Sequence, residues 1–443
     1  WGVLLGVIAV YTALGISRFL RGDGRGGLGD FPVFHDAFGA VLAGQDLYAS
    51  GTGGYIYPPL FAALFSPLGM LTVQHAGALF AAMNAALLLV CLWLICSELI
   101  RRFRAGDDPS LLPAMMLATV FIFADKVFSE IKLGQTDLLV LAGLLLALRW
   151  MDRRPILAGV ALGLCGNIKY QSIVFVPYLL VRGRWRALGG AIGSAAAFAL
   201  STALVFGWER NLDYLRRAFG GLGRMLGGAA PDNAANVLGL TWIRSISFPS
   251  VLARISRAAG WPDAVAFGLT GVLALACFAG VVLLYRRHGM PVFLGRTGRA
   301  ERTAPRMRIL AAIEWIGLMV AVLVFSPQTT ARHVVLMIPL GALAALLILW
   351  PRPGVRRMPV LFASIGLVLA LTLPPGGGAM SDALYAWRWI GGISIAALVL
   401  LFVSLDGALR RANELHRHPT GAAENRSAPL EKPGSTRAGP SNT

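Results

Sequence analysis

Charged residues are scarce in this chain of 443 residues, and acidic residues are the scarcest. Only 14% of the residues are Asp, Glu, Lys or Arg, whereas soluble domains have about 25%. Cysteine is scarce too, and the four cysteines lie inside apolar runs without the CxxC spacing of a metal site, at Cys91, Cys96, Cys165 and Cys277. These scarcities argue against a soluble domain, a disulfide-bonded secreted domain and a cysteine-ligated metal domain.

Apolar residues are abundant instead. They make up 56% of the chain, and the mean hydropathy is +0.66. A helix needs roughly 20 apolar residues to cross a bilayer, and the sequence offers about a dozen such stretches. The alternating segments of about ten residues that are typical of a membrane barrel are absent. Because a helix satisfies its own backbone groups in lipid, the sequence predicts an all-α polytopic membrane protein with about 12 transmembrane helices.

The predicted spans divide the chain into one membrane domain, residues 1–405, and a polar tail, residues 406–443. External loops are expected at about 21–57 and 208–262, and the tail is expected to be cytoplasmic and disordered. Residues 60–75 are apolar but short and bounded by prolines, so they could span, re-enter or lie at the interface. Because the chain begins at Trp1 rather than Met, we expect residues to precede it, and we interpret its first apolar stretch as a span rather than a signal peptide.

Basic residues cluster in one set of loops. Arginines recur at 101–104, 152–154, 182–186, 286–308, 352–357 and 410–417. The positive-inside rule places these loops in the cytoplasm and accounts for the net charge of +18. No soluble module with a basic face is present, so nucleic-acid binding is not expected. We therefore expect a multi-pass protein of the plasma (inner) membrane, with its unusual polar features on the periplasmic or extracellular side.

The first of these features is the polar, aromatic and Gly/Pro-rich interval Gly29–Leu68. It contains Asp30 and Asp36, and a carboxylate in such a loop can act as a general base on a substrate hydroxyl. Alternatively, Asp30 caps a surface helix and Asp36 is merely solvated. The neighbours that could contact a substrate are His35, Tyr48, Tyr55 and Tyr57.

Lys169 lies between two apolar arms that are too short to be independent spans. A lysine near membrane depth is costly and indicates function by default, although its ammonium group could instead reach the interface. Asn167 and Gln171 lie beside Lys169, and the three side chains together could hold a phosphate.

Two further polar turns fall on the same predicted side. Gln135 and Asp137 could cap the helix that follows them or contact a ligand. Arg332 and His333 stand at the start of another helix and could meet an anionic group or form a capped turn that faces water. Glu314, inside an apolar run, is expected to pair internally.

Taken together, these segments resemble glycosyltransferase family 87, a group of the GT-C superfamily that uses polyprenol-phosphate sugars. They occur in the order of the family and cover most of the chain up to about residue 350. The matching segments are 30–48, 55–71, 134–148, 156–171 and 326–333. The chain departs from the family pattern in three places: Phe34 replaces a Tyr, Gln171-Ser172 replace a Pro, and Asn233-Ala234-Ala235-Asn236 replace Asn-Gln-Ser.

The resemblance implies a GT-C-like helical bundle whose external loops form the active site. It implies inverting transfer of a sugar, commonly mannose, from a polyprenyl-phosphate donor to a glycolipid or glycan acceptor at the outer face of the membrane. Asp30 would be the general base, with Asp36 as the fallback, and Lys169 would contact the donor phosphate. No cofactor is expected, because the lipid-linked sugar is itself a substrate, and no metal is expected, because the phosphate is already a good leaving group. The remaining partner is membrane lipid.

Two other classes of protein remain open at this point. A secondary transporter or lipid flippase would show inverted repeats and ionisable residues at mid-membrane, and we find no convincing repeat. An inactive scaffold of the cell envelope would tolerate Asp30→Asn, whereas an enzyme that uses this carboxylate would not.

Overall fold

A computed structural model of the chain describes residues 1–22, 29–49, 54–106, 108–225, 239–291, 304–327, 329–350, 356–372 and 378–417. Within these ranges the regular structure is helical, and the sheet-like pairing among them is an isolated antiparallel bridge between Ser245 and Thr330. The all-α prediction is confirmed. The family segment Asn233–Asn236 and the residues after Arg417 lie outside the described ranges.

In chain order the helices are α1 (Gly2–Arg21), α2 (Phe31–Leu42), α3 (Pro59–Phe65), α4 (Val73–Phe103), α5 (Leu111–Ile122), α6 (Ala124–Leu133), α7 (Asp137–Trp150), α8 (Pro155–Gly166), α9 (Phe175–Val181), α10 (Trp185–Ser201), α11 (Ala203–Phe206), α12 (Trp208–Met225), α13 (Phe248–Ala258), α14 (Asp263–Arg287), α15 (Pro305–Phe325), α16 (Ile338–Leu349), α17 (Arg357–Leu371), α18 (Ala379–Trp389) and α19 (Gly392–Arg417). Short 3-10 helices lie at Ser66–Met70, Tyr170–Val174 and His333–Met337.

Six helices of the described chain are long and apolar enough to cross a membrane: α1, α4, α10 with α11, α14, α15 and α19. A seventh is possible if α5 and α6, which meet at a bend of 78°, count as one span. The predicted total of about 12 is therefore not confirmed. The difference arises because several apolar segments form shorter helices that break at polar turns, among them α7, α8 and the helix from His333 to Leu349.

Helix α8 is held against α10 by small residues. A Cβ atom on Gly159 would lie 2.2 Å from the Ala187 carbonyl oxygen, and one on Gly163 would lie 2.1 Å from the Ser194 hydroxyl. Glycine at these positions lets the backbones of α8 and α10 approach closely, as small residues do in membrane helices. This packing fixes the turn at the end of α8 that carries Lys169.

An ion-pair network occupies one end of the bundle. Buried Arg102 donates to the Glu98 carboxylate at 2.6 Å and to two backbone carbonyl oxygens. These belong to Arg308 and to Leu148, which lies at the end of α7. Arginines of the predicted cytoplasmic clusters thus meet at a single end. From Leu148, α7 runs about 17 Å to its other end, at about 1.5 Å per residue.

Glu314 lies near the same end and confirms the prediction that it pairs internally. Its carboxylate accepts hydrogen bonds from the Arg182 guanidinium and, at 3.0 Å, from the Tyr178 hydroxyl. The charge is therefore compensated inside the protein, as burial of a carboxylate among apolar helices requires.

The apolar stretch 60–75 does not form a crossing helix. It folds mainly as α3 and the 3-10 helix Ser66–Met70, which together extend at most about 20 Å, too little for a bilayer core of about 30 Å. Gly69 lies against α2, where an added Cβ would be 2.9 Å from the Gly39 nitrogen. Leu64 and Met70 are exposed. The length therefore argues against the first of the three alternatives, an independent span.

The last helix, α19, ends later than predicted. It runs through Asp406, where the polar tail was expected to begin, and continues to Arg417. Asp406 is bonded by the His288 ring at 2.8 Å and by Arg410 at 2.9 Å. These contacts stabilise a polar helical turn that composition alone assigns to a disordered tail.

Candidate active site

Polar residues from four distant segments meet at the end of α7 opposite to Arg102. Asp30 precedes α2, Gln135 and Asp137 stand at the start of α7, Lys169 follows α8, and Arg332 and His333 begin the helix that continues as α16. Direct bonds join Asp30 to Gln135 and Arg332, and Lys169 to Asp137. Three of the segments present a helix N-terminus, which carries partial positive charge and favours anions.

Two glycines allow the Asp30 turn and the Gln135 turn to lie close together. Gly29 and Gly134 have φ values of 74° and 65°, a backbone conformation that disfavours other residues. A Cβ on Gly29 would lie 2.6 Å from the Leu133 side chain, and one on Gly134 would lie 2.9 Å from the Phe31 Cβ. The close approach of these turns brings Asp30 within reach of Gln135.

Asp30 occupies the N-cap position of α2 but makes no side-chain cap bond. Its Oδ2 atom instead accepts hydrogen bonds from Gln135 Nε2, at 2.6 Å, and from Arg332 Nη1. The side chains of Asp30 and Arg332 are 43% and 39% exposed. A substrate can therefore reach both groups, and the bonds favour a role beyond capping for Asp30.

Lys169 does not extend to the interface. Its Nζ bonds Asp137 Oδ1 at 2.6 Å, and the two side chains are only 3% and 0% exposed. The ammonium group also lies over the Tyr57 ring, 5.6 Å from its centroid. The other carboxylate oxygen of Asp137 is buried and has no hydrogen-bond partner among the described residues. The pair thus places a compensated, buried lysine at the start of α7, two positions after Gln135.

Glu130 is a component of the site that sequence reasoning missed. Its Oε1 atom accepts hydrogen bonds from the backbone amides of Asp137, at 2.8 Å, and Leu138, at 3.2 Å. Glu130 on α6 therefore caps α7, which neither Gln135 nor Asp137 does with its side chain. The available signal in the sequence was a glutamate shortly before a turn and a new apolar helix.

Asn84 is a second missed residue. It lies on α4, is fully buried, and its side-chain amide donates to the Gln135 carbonyl oxygen at 2.9 Å. A single asparagine in a long apolar helix is costly to bury unless it is hydrogen-bonded. This bond holds the turn that carries Gln135 against the long helix α4.

Of the three tyrosines, Tyr57 is the one that faces the ion pair. The Tyr48 hydroxyl donates to the Tyr57 carbonyl oxygen at 2.7 Å, and the Tyr55 hydroxyl donates to that of Pro58 at 2.9 Å. Both side chains are buried and hold the backbone of this segment. Tyr57 packs on Phe34 and offers its ring to Lys169. Tyr48 and Tyr55 therefore support the site, and Tyr57 lines it.

The remaining predicted residues make other contacts. The His35 Nε2 atom is 2.9 Å from the Leu71 carbonyl oxygen. The Asn167 side-chain amide donates to carbonyl oxygens of α8 and α10, at 2.9 and 3.0 Å, so its contacts are structural. Gln171 lies two residues after Lys169, and its Oε1 is buried without a hydrogen-bond partner in the described chain.

The other two residues begin or lie within helices. Asp36 is half-buried further along α2. His333 is bonded through Nδ1 to the Thr330 hydroxyl at 3.0 Å.

Helix α12 covers the site beside the Lys169 turn. The Tyr170 hydroxyl donates to the Ala218 carbonyl oxygen at 2.6 Å, and Arg217 bonds Asp46 at 2.8 Å. Partial burial acts to raise the pKa of the Asp46 carboxyl, but hydrogen bonds from the Tyr48 amide and Arg217 bring it below its usual value. Asp46 is therefore ionised at neutral pH and attaches α12 to the loop after α2.

The assembled groups suit proton removal beside an anion. Asp30 is a reachable carboxylate and Arg332 is a reachable guanidinium. The buried Lys169–Asp137 pair lies at the same end of α7, with the Tyr57 ring against it. Within the described ranges, no three His, Cys, Asp or Glu residues are grouped closely enough to hold a metal ion. The chemistry that the site offers is that of a general base adjacent to a cationic anion-binding group.

Comparison with known proteins gives two findings. The family described as glycosyltransferase family 87 matches residues 55–300, more than half of the chain. That range includes Tyr57, Asp137 and Lys169 but neither Asp30 nor Arg332. The chain is also similar to the polyprenol-phosphate-mannose-dependent alpha-(1-2)-phosphatidylinositol mannoside mannosyltransferase of Mycobacterium tuberculosis, with 27% identity over 230 residues. The match covers 49% of each chain, so this chain spans about half the length of that relative.

Proposed function

This chain belongs to glycosyltransferase family 87, and from that premise we propose that it transfers mannose from a polyprenyl-phosphate donor to a hydroxyl group of a membrane glycolipid. The family match supports the class of reaction. The donor and the acceptor are those named for the Mycobacterium tuberculosis relative. The proposal includes no cofactor, because the donor phosphate is already a good leaving group.

One observation connects the proposed reaction with particular residues. Asp30, in the first predicted external loop, is bonded to Gln135 and Arg332, which come from distant parts of the chain. A single site thus contains a carboxylate for the acceptor hydroxyl and a cation for the donor phosphate. A transporter would be expected to place such groups at the midplane of related halves, whereas here they lie at one end of the bundle.

The reaction is a single displacement. Asp30 accepts the proton of the acceptor hydroxyl while the hydroxyl oxygen forms a bond to the anomeric carbon of the sugar. The bond from that carbon to the phosphate oxygen breaks, and the polyprenyl phosphate leaves with the electron pair. Because attack and departure occur on opposite faces, the anomeric configuration inverts. Arg332 and the nearby helix N-termini supply positive charge toward the phosphate.

The position of the site agrees with a lipid-linked donor. The polyprenyl tail remains among the apolar helices, and the phosphate reaches the polar groups at the end of α7. The arginine network around Arg102 lies at the opposite end, which the positive-inside rule assigns to the cytoplasm. We therefore propose that transfer occurs at the periplasmic or extracellular face of the plasma membrane.

Reconstituted sugar transfer tests the proposal. Purified protein in lipid vesicles receives radiolabelled polyprenyl-phosphate-mannose and a membrane glycolipid extract, and labelled glycolipid is measured. We expect wild type to transfer and Asp30→Asn to lose roughly 100-fold or more of the rate, because general bases contribute about 10²–10⁴-fold.

Asp36→Asn is the matched variant in the same segment, and we expect it to retain transfer. Loss of transfer with Asp36→Asn but not with Asp30→Asn would move the base to Asp36. No transfer and no donor hydrolysis by wild type, with several polyprenyl-phosphate sugars, would contradict the enzymatic proposal and return attention to a transporter or scaffold.

A further inference from the structure

The two cations of the site differ in their freedom to bind a ligand. Lys169 is 3% exposed, and its ammonium group is held by the fully buried Asp137. Moving this lysine to a phosphate would leave a buried carboxylate without its counter-charge, which is strongly unfavourable. Arg332 is 39% exposed and is bonded to Asp30, which is 43% exposed. Arg332 can change partners because water or substrate can compensate the charge of Asp30 after the guanidinium leaves.

The guanidinium also has the better geometry for a phosphate. Its planar donors match two oxygens of a phosphate group, whereas a lysine ammonium is a single point of charge. Arg332 stands at the start of a helix that runs from His333 to Leu349, where the helix dipole adds positive potential. The Nη1 atom, one of these planar donors, is bonded to Asp30 in this structure.

We propose that Arg332 exchanges Asp30 for the donor phosphate, so that binding of the donor releases the catalytic base. This inference rests on the proposed function and adds an order of events to it. The donor binds first, and the acceptor hydroxyl is deprotonated afterwards. Gln135 remains bonded to Asp30 Oδ2, at 2.6 Å in this structure, and keeps the carboxylate oriented after the exchange. Lys169 stays with Asp137 throughout, and the pair carries no net charge toward the phosphate.

The exchange also closes the reaction cycle. In the transfer step the acceptor proton goes to Asp30, the new bond forms at the anomeric carbon, and the bond to the phosphate oxygen breaks. The released polyprenyl phosphate carries the electron pair and is held by Arg332. When Asp30 loses its proton to water, it competes for the guanidinium again and promotes release of the lipid phosphate.

Binding of polyprenyl phosphate without a sugar tests the exchange separately from catalysis. Purified full-length protein in nanodiscs is titrated with polyprenyl phosphate, and the dissociation constant is measured for wild type and variants. Asp30→Asn keeps the shape of the side chain and removes its charge. We expect it to bind about fivefold tighter, because no ion pair must be broken first. Arg332→Gln should bind about tenfold weaker or worse, because charged hydrogen bonds are lost.

Three variants serve as controls. Asp263→Asn removes a carboxylate from an exposed pair with Arg257 elsewhere on the molecule, and its affinity should equal that of wild type. The double variant Asp30→Asn with Arg332→Gln should lose the gain of the single change. Equal tightening by Asp36→Asn would overturn the inference, because it would reveal a general effect of removing negative charge.

The outcomes separate this inference from the proposed function. Transfer by wild type with no tightening in Asp30→Asn overturns the exchange and leaves the enzymatic proposal intact. Failure of wild type to bind polyprenyl phosphate overturns both. Thermal unfolding of each variant identifies misfolding, and Arg332→Lys, which retains the charge, should bind with intermediate affinity if the guanidinium geometry contributes.

Discussion

At the scale of single residues, the structure distinguishes alternatives that the sequence leaves open. Asp30 stands where an N-cap residue would stand, yet its carboxylate bonds Gln135 and Arg332 rather than its own helix. Lys169 is buried against Asp137 rather than extended to the interface. The role of each side chain therefore depends on the partner that folding brings to it. Sequence spacing does not specify that partner.

Lys169→Met tests whether the buried ion pair is required for the fold. The change leaves the Asp137 carboxylate buried without its partner, so we expect a loss of about 3–5 kcal/mol in the free energy of unfolding. Thermal or denaturant unfolding of the purified protein in detergent measures it. The double variant with Asp137→Leu should recover most of the loss, because it removes both charges.

Arg257→Met is the comparison for this prediction. It breaks the exposed pair with Asp263, and surface pairs contribute less than about 1 kcal/mol. A Lys169→Met variant as stable as Arg257→Met would show that the Asp137 site admits water or is uncharged, and would contradict the account of the buried pair.

At the scale of elements, the site depends on helices that end early. Helix α7 begins at Asp137 because Glu130 caps its first amides from α6, and α8 ends at Gly166 before the turn with Lys169. Each early end places polar backbone and side chains in a common space at the same end of the bundle. Turns that shorten apolar segments therefore account both for the site and for the smaller number of long spans.

Gly134→Ala tests the close approach of the two turns. At a φ of 65° an alanine costs roughly 1–2 kcal/mol, and its Cβ would also lie 2.9 Å from that of Phe31. Displacing Phe31 moves Asp30 from Gln135, so we expect sugar transfer to fall about tenfold or more. Transfer rate and unfolding midpoint are measured together.

Gly44→Ala provides the matched control. Gly44 has a φ of 62°, but an added Cβ meets nothing within 4 Å. It should lose the same conformational stability without the loss of transfer. Equal transfer by both variants would show that the approach of Gly134 to Phe31 does not position Asp30.

At the scale of the whole molecule, charge sorts the two ends of the bundle. Arginines from several predicted cytoplasmic loops meet around Glu98 and Glu314, and the candidate site lies at the far end of α7. The positive-inside rule, applied to the sequence, predicted the same division. The structure adds that the two ends are joined by one buried helix, so their relative position is set by packing.

Cysteine labelling in intact cells tests the orientation. Gln45→Cys lies in the exposed loop after α2, and Arg153→Cys lies in the exposed turn between α7 and α8. A maleimide that cannot cross membranes should label Gln45→Cys in intact cells, and Arg153→Cys only after permeabilisation. The native cysteines Cys91, Cys96 and Cys165 are buried, and Cys277 is replaced by Ala to lower the background. The opposite labelling pattern would place the site in the cytoplasm.

The sequence by itself determined the all-helical membrane class, because lipid leaves few ways to satisfy a backbone and a long apolar chain reveals which one is used. Its polar segments also indicated the family and most of the candidate residues. Only the tertiary structure decided which of those residues meet. Asp30 and Arg332 are 302 positions apart, and Glu130 caps a helix that follows its own. Such contacts depend on how helices pack and where they break, and neither can be predicted from the spacing of residues within a short segment.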